Sequence, residues 1–294
     1  MVDRSSYLVV GADSLVGGGL LRALERRGRT AYGTTRRRDS VTHRRVFLDF
    51  ESEEPFTAPP DVGYAFVVAA ATNYDRCETD PLAYKINVEL TPRTIASLLK
   101  QGLFVTFIST NSVFGGERPW PQEDDAHDPK ISYALQKHRS ELAIGKAAGE
   151  LEAEDRLSIV RLTKILDPST SPLASWFRAW RCGEAVQPFS DLIFAPMSIQ
   201  FVGEALATLG EKRVPGTLHL SGADNVSYVD LALALVEKLG VDSSLIAPTT
   251  ATAKGIHIAF KPRFSGLGMN RTTQLTGIRP QKLADVVNDL TVDA

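Results

Sequence analysis

The chain has 294 residues, 43% hydrophobic and 23% charged, which suits a globular protein of one large or two ordinary domains. A formal charge of −2, from 35 acidic and 33 basic residues, argues against a nucleic-acid-binding surface and favours small-molecule ligands. The two cysteines, Cys77 and Cys182, are too few for a disulfide framework or a four-ligand zinc site and read as reduced thiols. No run approaches the ~18 to 20 apolar residues of a membrane span, and the opening YLVV is too short for a signal core. These features predict a cytoplasmic protein with no membrane partner.

In chain order, the first half alternates short β-rich runs with helical patterns. The runs are YLVV (7–10), TAYGT (30–34), RVFLDF (45–50), YAFVVAA (64–70), LFVTFIST (103–110) and LSIVRL (157–162), and helices are predicted at 17–27, 80–100 and 132–148. Buried strands separated by helices of ten or more residues read as βαβ units, so the fold class is α/β: a Rossmann-type, doubly wound parallel sheet. After about Leu166 the alternation stops in DPSTSPLASWFRAW (167–180). A helix returns at 201–212, a strand-like GTLHLSG at 216–222 and a helix at 227–240. The pattern predicts a Rossmann domain over 1–166 and a smaller substrate-binding α/β region over 167–294, with 201–222 rejoining the main sheet.

Between the first strand and helix lies GADSLVG (11–17). Gly11 can turn freely after the strand, and Gly17 opens a helix whose backbone N–H groups, with those of Ser14, Leu15 and Val16, can face a pyrophosphate. Ser14 replaces the middle glycine of the usual fingerprint. Helix–strand packing alone would also use such glycines, so the motif needs its context. The second strand runs into GTTRRR (33–38) with no acid before Asp39. Arg36, with Arg37 or Arg38 behind it and Thr35 beside it as a further cofactor contact, then favours the 2′-phosphate of NADP over the 2′-hydroxyl of NAD, although NAD(H) stays open and a solvated loop is the alternative use of three arginines.

SYALQKHRSEL (132–142) places Tyr133 and Lys137 four residues apart, on one face of a helix. Thr110 ends a predicted central strand 23 residues earlier, at the edge where doubly wound sheets hold ligands. A phenol with a pKa of about 10 needs a nearby cation to exchange protons near neutrality, and Lys137 can supply that charge and hold a ribose hydroxyl. Tyr133 is thus the candidate general acid for a carbonyl oxygen that Thr110 orients, with hydride from a nicotinamide.

The chain resembles the extended short-chain dehydrogenase/reductase superfamily, and within it the dTDP-4-dehydrorhamnose reductase-like sugar-nucleotide reductases. The resemblance rests on GADSLVG, FLDF (47–50), VVAAATNYDRCE (67–78), INVELT (86–91), ISTNSVFGG (108–116) and YALQK (133–137). In the C-terminal half it rests on SDLIFAPMSIQFVGEAL (190–206) and KPRFSGLGMN (261–270). It implies a catalytic Thr110, Tyr133 and Lys137, with Asp49 near adenine, Ala70 and Ala71 beside the cofactor, and Asn87 at a recurrent asparagine. Asn73, Asn111, Lys164, Lys261 and Arg263 are implied near a nucleotide-sugar substrate. Lys261 stands where the family usually has arginine, and Lys164 where it often has an aromatic or small residue, so the resemblance leaves the identity of the sugar open.

The expected activity is NADPH-dependent reduction of a 4-keto group on a nucleotide-linked deoxysugar, in a possible homodimer. Two alternatives remain at this level: an NAD(P)-dependent epimerase or dehydratase, and a non-catalytic NADP-binding regulatory subunit. Arg36, and Asn111 in place of an acid after Thr110, count against the first. The five histidines lack metal-ligand spacing, so no metal is expected. The acidic run QEDDAHD (122–128) reads as a solvated loop. Trp120, Trp176 and Trp180 could line a pocket or simply pack.

Overall fold

The structure, a computed structural model, describes residues 4–52 and 56–292. Its centre is a seven-stranded sheet formed by β1 (Ser6–Val10), β2 (Ala31–Thr35), β3 (Arg45–Phe47), β4 (Val62–Val67), β5 (Phe104–Thr110), β6 (Leu157–Leu162) and β10 (Gly216–Leu220). The order is β10-β6-β5-β4-β1-β2-β3, and every pairing is parallel. This is the doubly wound arrangement expected of alternating buried strands and helices.

Alternation along the strands explains the two faces. Tyr7 and Val9 point to one side, where they meet α1 (Leu15–Arg26) and α7 (Ile199–Lys212) through Leu20, Leu24, Val202 and Leu206. Leu8 and Val10 point to the other, toward Ile95 and Leu98 of α4 (Thr91–Lys100) and Ile144 of α5 (Ser132–Glu150). Each large aliphatic side chain buried in this way is worth about 1.5–3 kcal/mol, and both faces of the sheet contribute.

The segment predicted as one helix over 80–100 is α3 (Pro81–Tyr84), a π-helical turn (Lys85–Leu90) and α4 in succession. A further short helix, α2 (Tyr74–Thr79), precedes it, capped by Asn73. The strand predicted over 45–50 ends at Phe47, and that over 64–70 ends at Val67, where the chain leaves the sheet toward the ligand edge.

Beyond β6 the chain forms β7 (Lys164–Leu166), α6 (Leu173–Arg181), β8 (Ile193–Phe194), β9 (Pro196–Ser198), then α7 and β10. After β10 come β11 (Val226–Ser227), α8 (Tyr228–Leu239), α9 (Asn270–Thr276) and α10 (Leu283–Thr291). A separate apolar cluster joins Trp176, Phe177 and Trp180 of α6 to Leu231 and Leu235 of α8 and Val286 and Leu290 of α10. The two tryptophans of the irregular 167–180 stretch are therefore packing residues. Strand β10 pairs with β6 and carries the chain back to the main sheet.

Candidate active site

Strands β1 and β4 are neighbours in the sheet although not in sequence, and the crevice at their carboxyl ends is where such a sheet binds ligands. Gly11 leaves β1 with φ +93°, and a Cβ there would lie 2.7 Å from the Ala69 nitrogen. A Cβ on Gly17 would lie 2.3 Å from the Gly11 carbonyl oxygen, so only glycine lets the turn close. Ser14 caps α1: its Oγ accepts from Gly17 N at 3.1 Å and donates to Gly11 O at 2.8 Å. The missing middle glycine is thus replaced by a cap whose hydroxyl is spent inside the turn.

The N–H groups of Leu15 and Val16 have no partner among the described residues, and the first turn of α1 carries no acid. Two free donors at the positive end of a helix suit a pyrophosphate, so these residues fit a dinucleotide. The facing side, Ala69–Ala71, is held by Asn87, which is 1% exposed. Asn87 accepts from Ala71 N and donates to Ala71 O, both at 2.9 Å, and donates to Gln136 of α5 at 2.8 Å.

A cleft of about 760 Å³ opens from this crevice and is lined by Val16, Ala70, Asn73, Thr110, Asn111, Tyr133, Lys137, Lys164 and Lys261. Thr110 closes β5, and Tyr133 lies in the first turn of α5. The Tyr133 ring stacks on Tyr74, with centroids 5.5 Å apart and planes at 29°. Burial pushes the Tyr133 phenol above its usual pKa, Tyr74 adds to this, and hydrogen bonding with Thr110 opposes it. The phenol is therefore held protonated.

Lys137 is 3% exposed. Its Nζ donates to Ile108 O at 2.5 Å and lies 3.9 Å from the centre of the Phe107 ring. Burial lowers its pKa to about 7, against the attraction of Glu141 one turn along α5. In this geometry the ammonium is anchored to the backbone of the strand that ends in Thr110.

Behind the two residues lies a buried polar network. Glu141 pairs with Arg161 of β6 at 2.8 Å and accepts a hydrogen bond from Ser109. Arg161 also donates to Glu123 O at 2.9 Å, and its guanidinium lies 3.3 Å from His219 Nε2. The acidic run is accordingly not a solvated loop throughout: Glu123 is 5% exposed, and burial raises its pKa. Asp124 pairs with Arg271, and Asp125 accepts from Gln122 N.

The remaining predicted residues are distributed unevenly. Asn73 caps α2 through Arg76 N, and Asn111 donates to Ser265 O at 2.9 Å and Oγ at 3.0 Å, tying the β5 edge to the C-terminal loop. Lys164 has no ion-pair partner among the described residues, whereas Lys261 is held by Asp191 at 2.6 Å. Arg263 is exposed and lies over Phe264, outside the cleft lining. Asp49 accepts from Glu51 N in its loop and does not line the cleft. Thr35 donates to Asp13 Oδ2 at 2.9 Å, and Arg36 is exposed with no partner among the described residues.

Sequence reasoning missed Tyr74, Tyr228, His257 and Phe260, all of which line the cleft. Tyr74 adjoins Asn73 and could have been found there. His257 and Phe260 lie in a stretch without periodicity, which gives no signal. Among the described residues no group of three or more His, Cys, Asp or Glu could hold a metal, and no helix is long and apolar enough to cross a membrane.

Similar proteins share this architecture over the whole chain. The spore coat polysaccharide biosynthesis protein SpsK of Bacillus subtilis is 26% identical over 97% of this chain and 96% of its own. The dTDP-4-dehydrorhamnose reductase of Streptomyces griseus is 27% identical over 94% and 90%. The crystal structure of the Bacillus anthracis dTDP-4-dehydrorhamnose reductase in complex with NADP superposes with a TM-score of 0.80, at 18% identity, covering 99% of this chain and 100% of that one. The family model described as the RmlD substrate binding domain matches residues 5–293, and this chain belongs to that family.

Proposed function

We propose that the protein is an NADPH-dependent reductase that converts the 4-keto group of a nucleotide-linked deoxysugar to an alcohol. The observation that carries this reading is one cleft joining the N-terminus of α1 to Thr110, Tyr133 and Lys137. The similarity to named dTDP-4-dehydrorhamnose reductases supports the substrate class.

When bound, the reduced nicotinamide supplies hydride to the carbonyl carbon. The chain's own residues do the rest. Thr110, at the strand edge, donates a hydrogen bond to the carbonyl oxygen and orients it. Tyr133, kept protonated by its surroundings, delivers the proton to the same oxygen as negative charge develops there. Lys137 holds a ribose hydroxyl by sharing the hydrogen bond it makes to Ile108, and its positive charge near the phenol favours the tyrosinate left behind. Asn111 follows Thr110 and is engaged with Ser265, which puts no acid next to Thr110 for a dehydration.

The test is NADPH oxidation with a series of nucleoside-diphosphate 4-keto-6-deoxysugars. Tyr133→Phe is expected to lower kcat by about 10² to 10⁴ while leaving NADPH binding in place. Absence of turnover with every keto-sugar, together with an inert Tyr133→Phe, would discard the reading.

A further inference from the structure

The end of β2 is where a doubly wound dinucleotide fold meets the adenosine ribose, through a carboxylate for a 2′-hydroxyl or a cation for a 2′-phosphate. Strand β2 runs into three arginines with no acid of its own. The tertiary structure brings one in from elsewhere. Asp13, inside the turn between β1 and α1, accepts from Thr35 Oγ1 at 2.9 Å on its Oδ2. Its Oδ1 is bound by Arg45 of β3 and lies 3.4 Å from Arg37.

The Asp13 side chain is 34% exposed. Burial opposes its charge, but the hydrogen bonds from Thr35 and Arg45 outweigh it and hold the carboxyl below its ordinary pKa, so it is an anion at neutral pH. The cations at this edge are correspondingly committed. Arg37 and Arg45 face Asp13, and Arg38 lies 4.0 Å over the Phe47 ring. Arg36 alone of the three consecutive arginines has no partner among the described residues.

We infer that Asp13 biases the choice of cofactor: it supplies the 2′-hydroxyl acceptor that β2 itself lacks and opposes a 2′-phosphate, and so weakens this protein's preference for NADPH over NADH. The inference rests on the nicotinamide-dependent reading above and refines it. A phosphate beside Asp13 meets a like charge and must compete with it for Arg37 and Arg45, leaving Arg36 as its one uncommitted partner. A ribose hydroxyl meets an ionised acceptor already oriented by Thr35.

The experiment measures dissociation constants of NADPH and NADH by calorimetry for the unmodified protein, Asp13→Asn and Asp13→Ser, with thermal unfolding to report folding. No sugar substrate is needed. The unmodified protein is expected to bind the two dinucleotides within about tenfold of each other. Removing a like charge a few ångströms from the 2′-phosphate is expected to tighten NADPH by about tenfold, while NADH weakens severalfold. Equal shifts for the two, or none, mean that Asp13 only braces the sheet edge, and they overturn the proposal. If an Asp13 variant does not fold, Arg45→Met provides the second arm. It strips Asp13 of compensation and should weaken NADPH more than NADH, and an equal loss overturns the proposal. Binding of neither dinucleotide by the unmodified protein overturns the nicotinamide reading as well, an outcome distinct from the others.

Discussion

Lys137 donates from Nζ to the carbonyl oxygen of Ile108 at 2.5 Å, so the candidate catalytic lysine is anchored to the strand that ends in Thr110. The anchor fixes the ammonium where burial lowers its pKa to about 7 from an ordinary 10.5. Between these values the unfolded chain holds a proton that the folded one has released, so stability rises with pH through this window. The contribution is on the order of a few kcal/mol. Unfolding temperatures measured from pH 7 to 10 should therefore climb, and Lys137→Met should be more stable than the unmodified protein near neutrality and lose the climb. An unchanged slope in the variant would refute the assignment.

Two histidines, His219 buried and His127 half-buried, predict sensitivity to acid. Burial, reinforced by Arg161, lowers His127 to about 4 and His219 to about 3. Below the ordinary value of 6.5 the unfolded chain binds protons that the folded one refuses, and stability drops as pH falls from about 6.5 toward 4. His219→Gln should flatten part of that drop in denaturant titrations at pH 7, 5.5 and 4.5. Parallel profiles for variant and parent would count against the buried neutral ring.

Ser14 caps α1 with an oxygen that occupies Gly17 N. Ser14→Gly should cost only a few tenths of a kcal/mol in stability, since glycine is a tolerated cap. It releases a third helix N–H toward the pyrophosphate, so NADPH and NADH should both bind severalfold tighter by titration. Weaker binding of both would show that the serine organises the turn for its ligand.

Lys164 lies two residues beyond Leu162, the register partner of Thr110, and faces the same cleft. Its side chain reaches solvent, and desolvation by the surrounding cleft walls lowers its pKa. Lys164→Met should raise KM for the nucleotide-sugar by about tenfold, the value of one charge-assisted contact, with NADPH affinity unchanged. Steady-state kinetics with an unaltered KM would remove Lys164 from the substrate's surroundings.

Much of the molecule was legible because its code is local. Short, continuously apolar β-rich runs marked β1, β5 and β6 to within a residue, and helical patterns marked α1, α5 and α7. The glycine turn and the Tyr133–Lys137 spacing depend on backbone geometry a few residues long, which is why they could be placed before any fold was known. The break of 80–100 by a π turn was not legible, since it answers to Asn87 reaching across to Ala71 and Gln136.

What the sequence by itself determined is the set of elements, the α/β class and the chemistry available at the strand edges, because these follow from periodicity and neighbouring residue types. Only the tertiary structure decided which charges meet. Asp13 stands at the end of β2, Lys261 is paired with an aspartate 70 positions away, and Glu123 is buried beneath Arg161. Such pairings depend on which strands become neighbours and how loops from distant segments pack over one edge. The same side chains, read along the chain, carry charge but no partner.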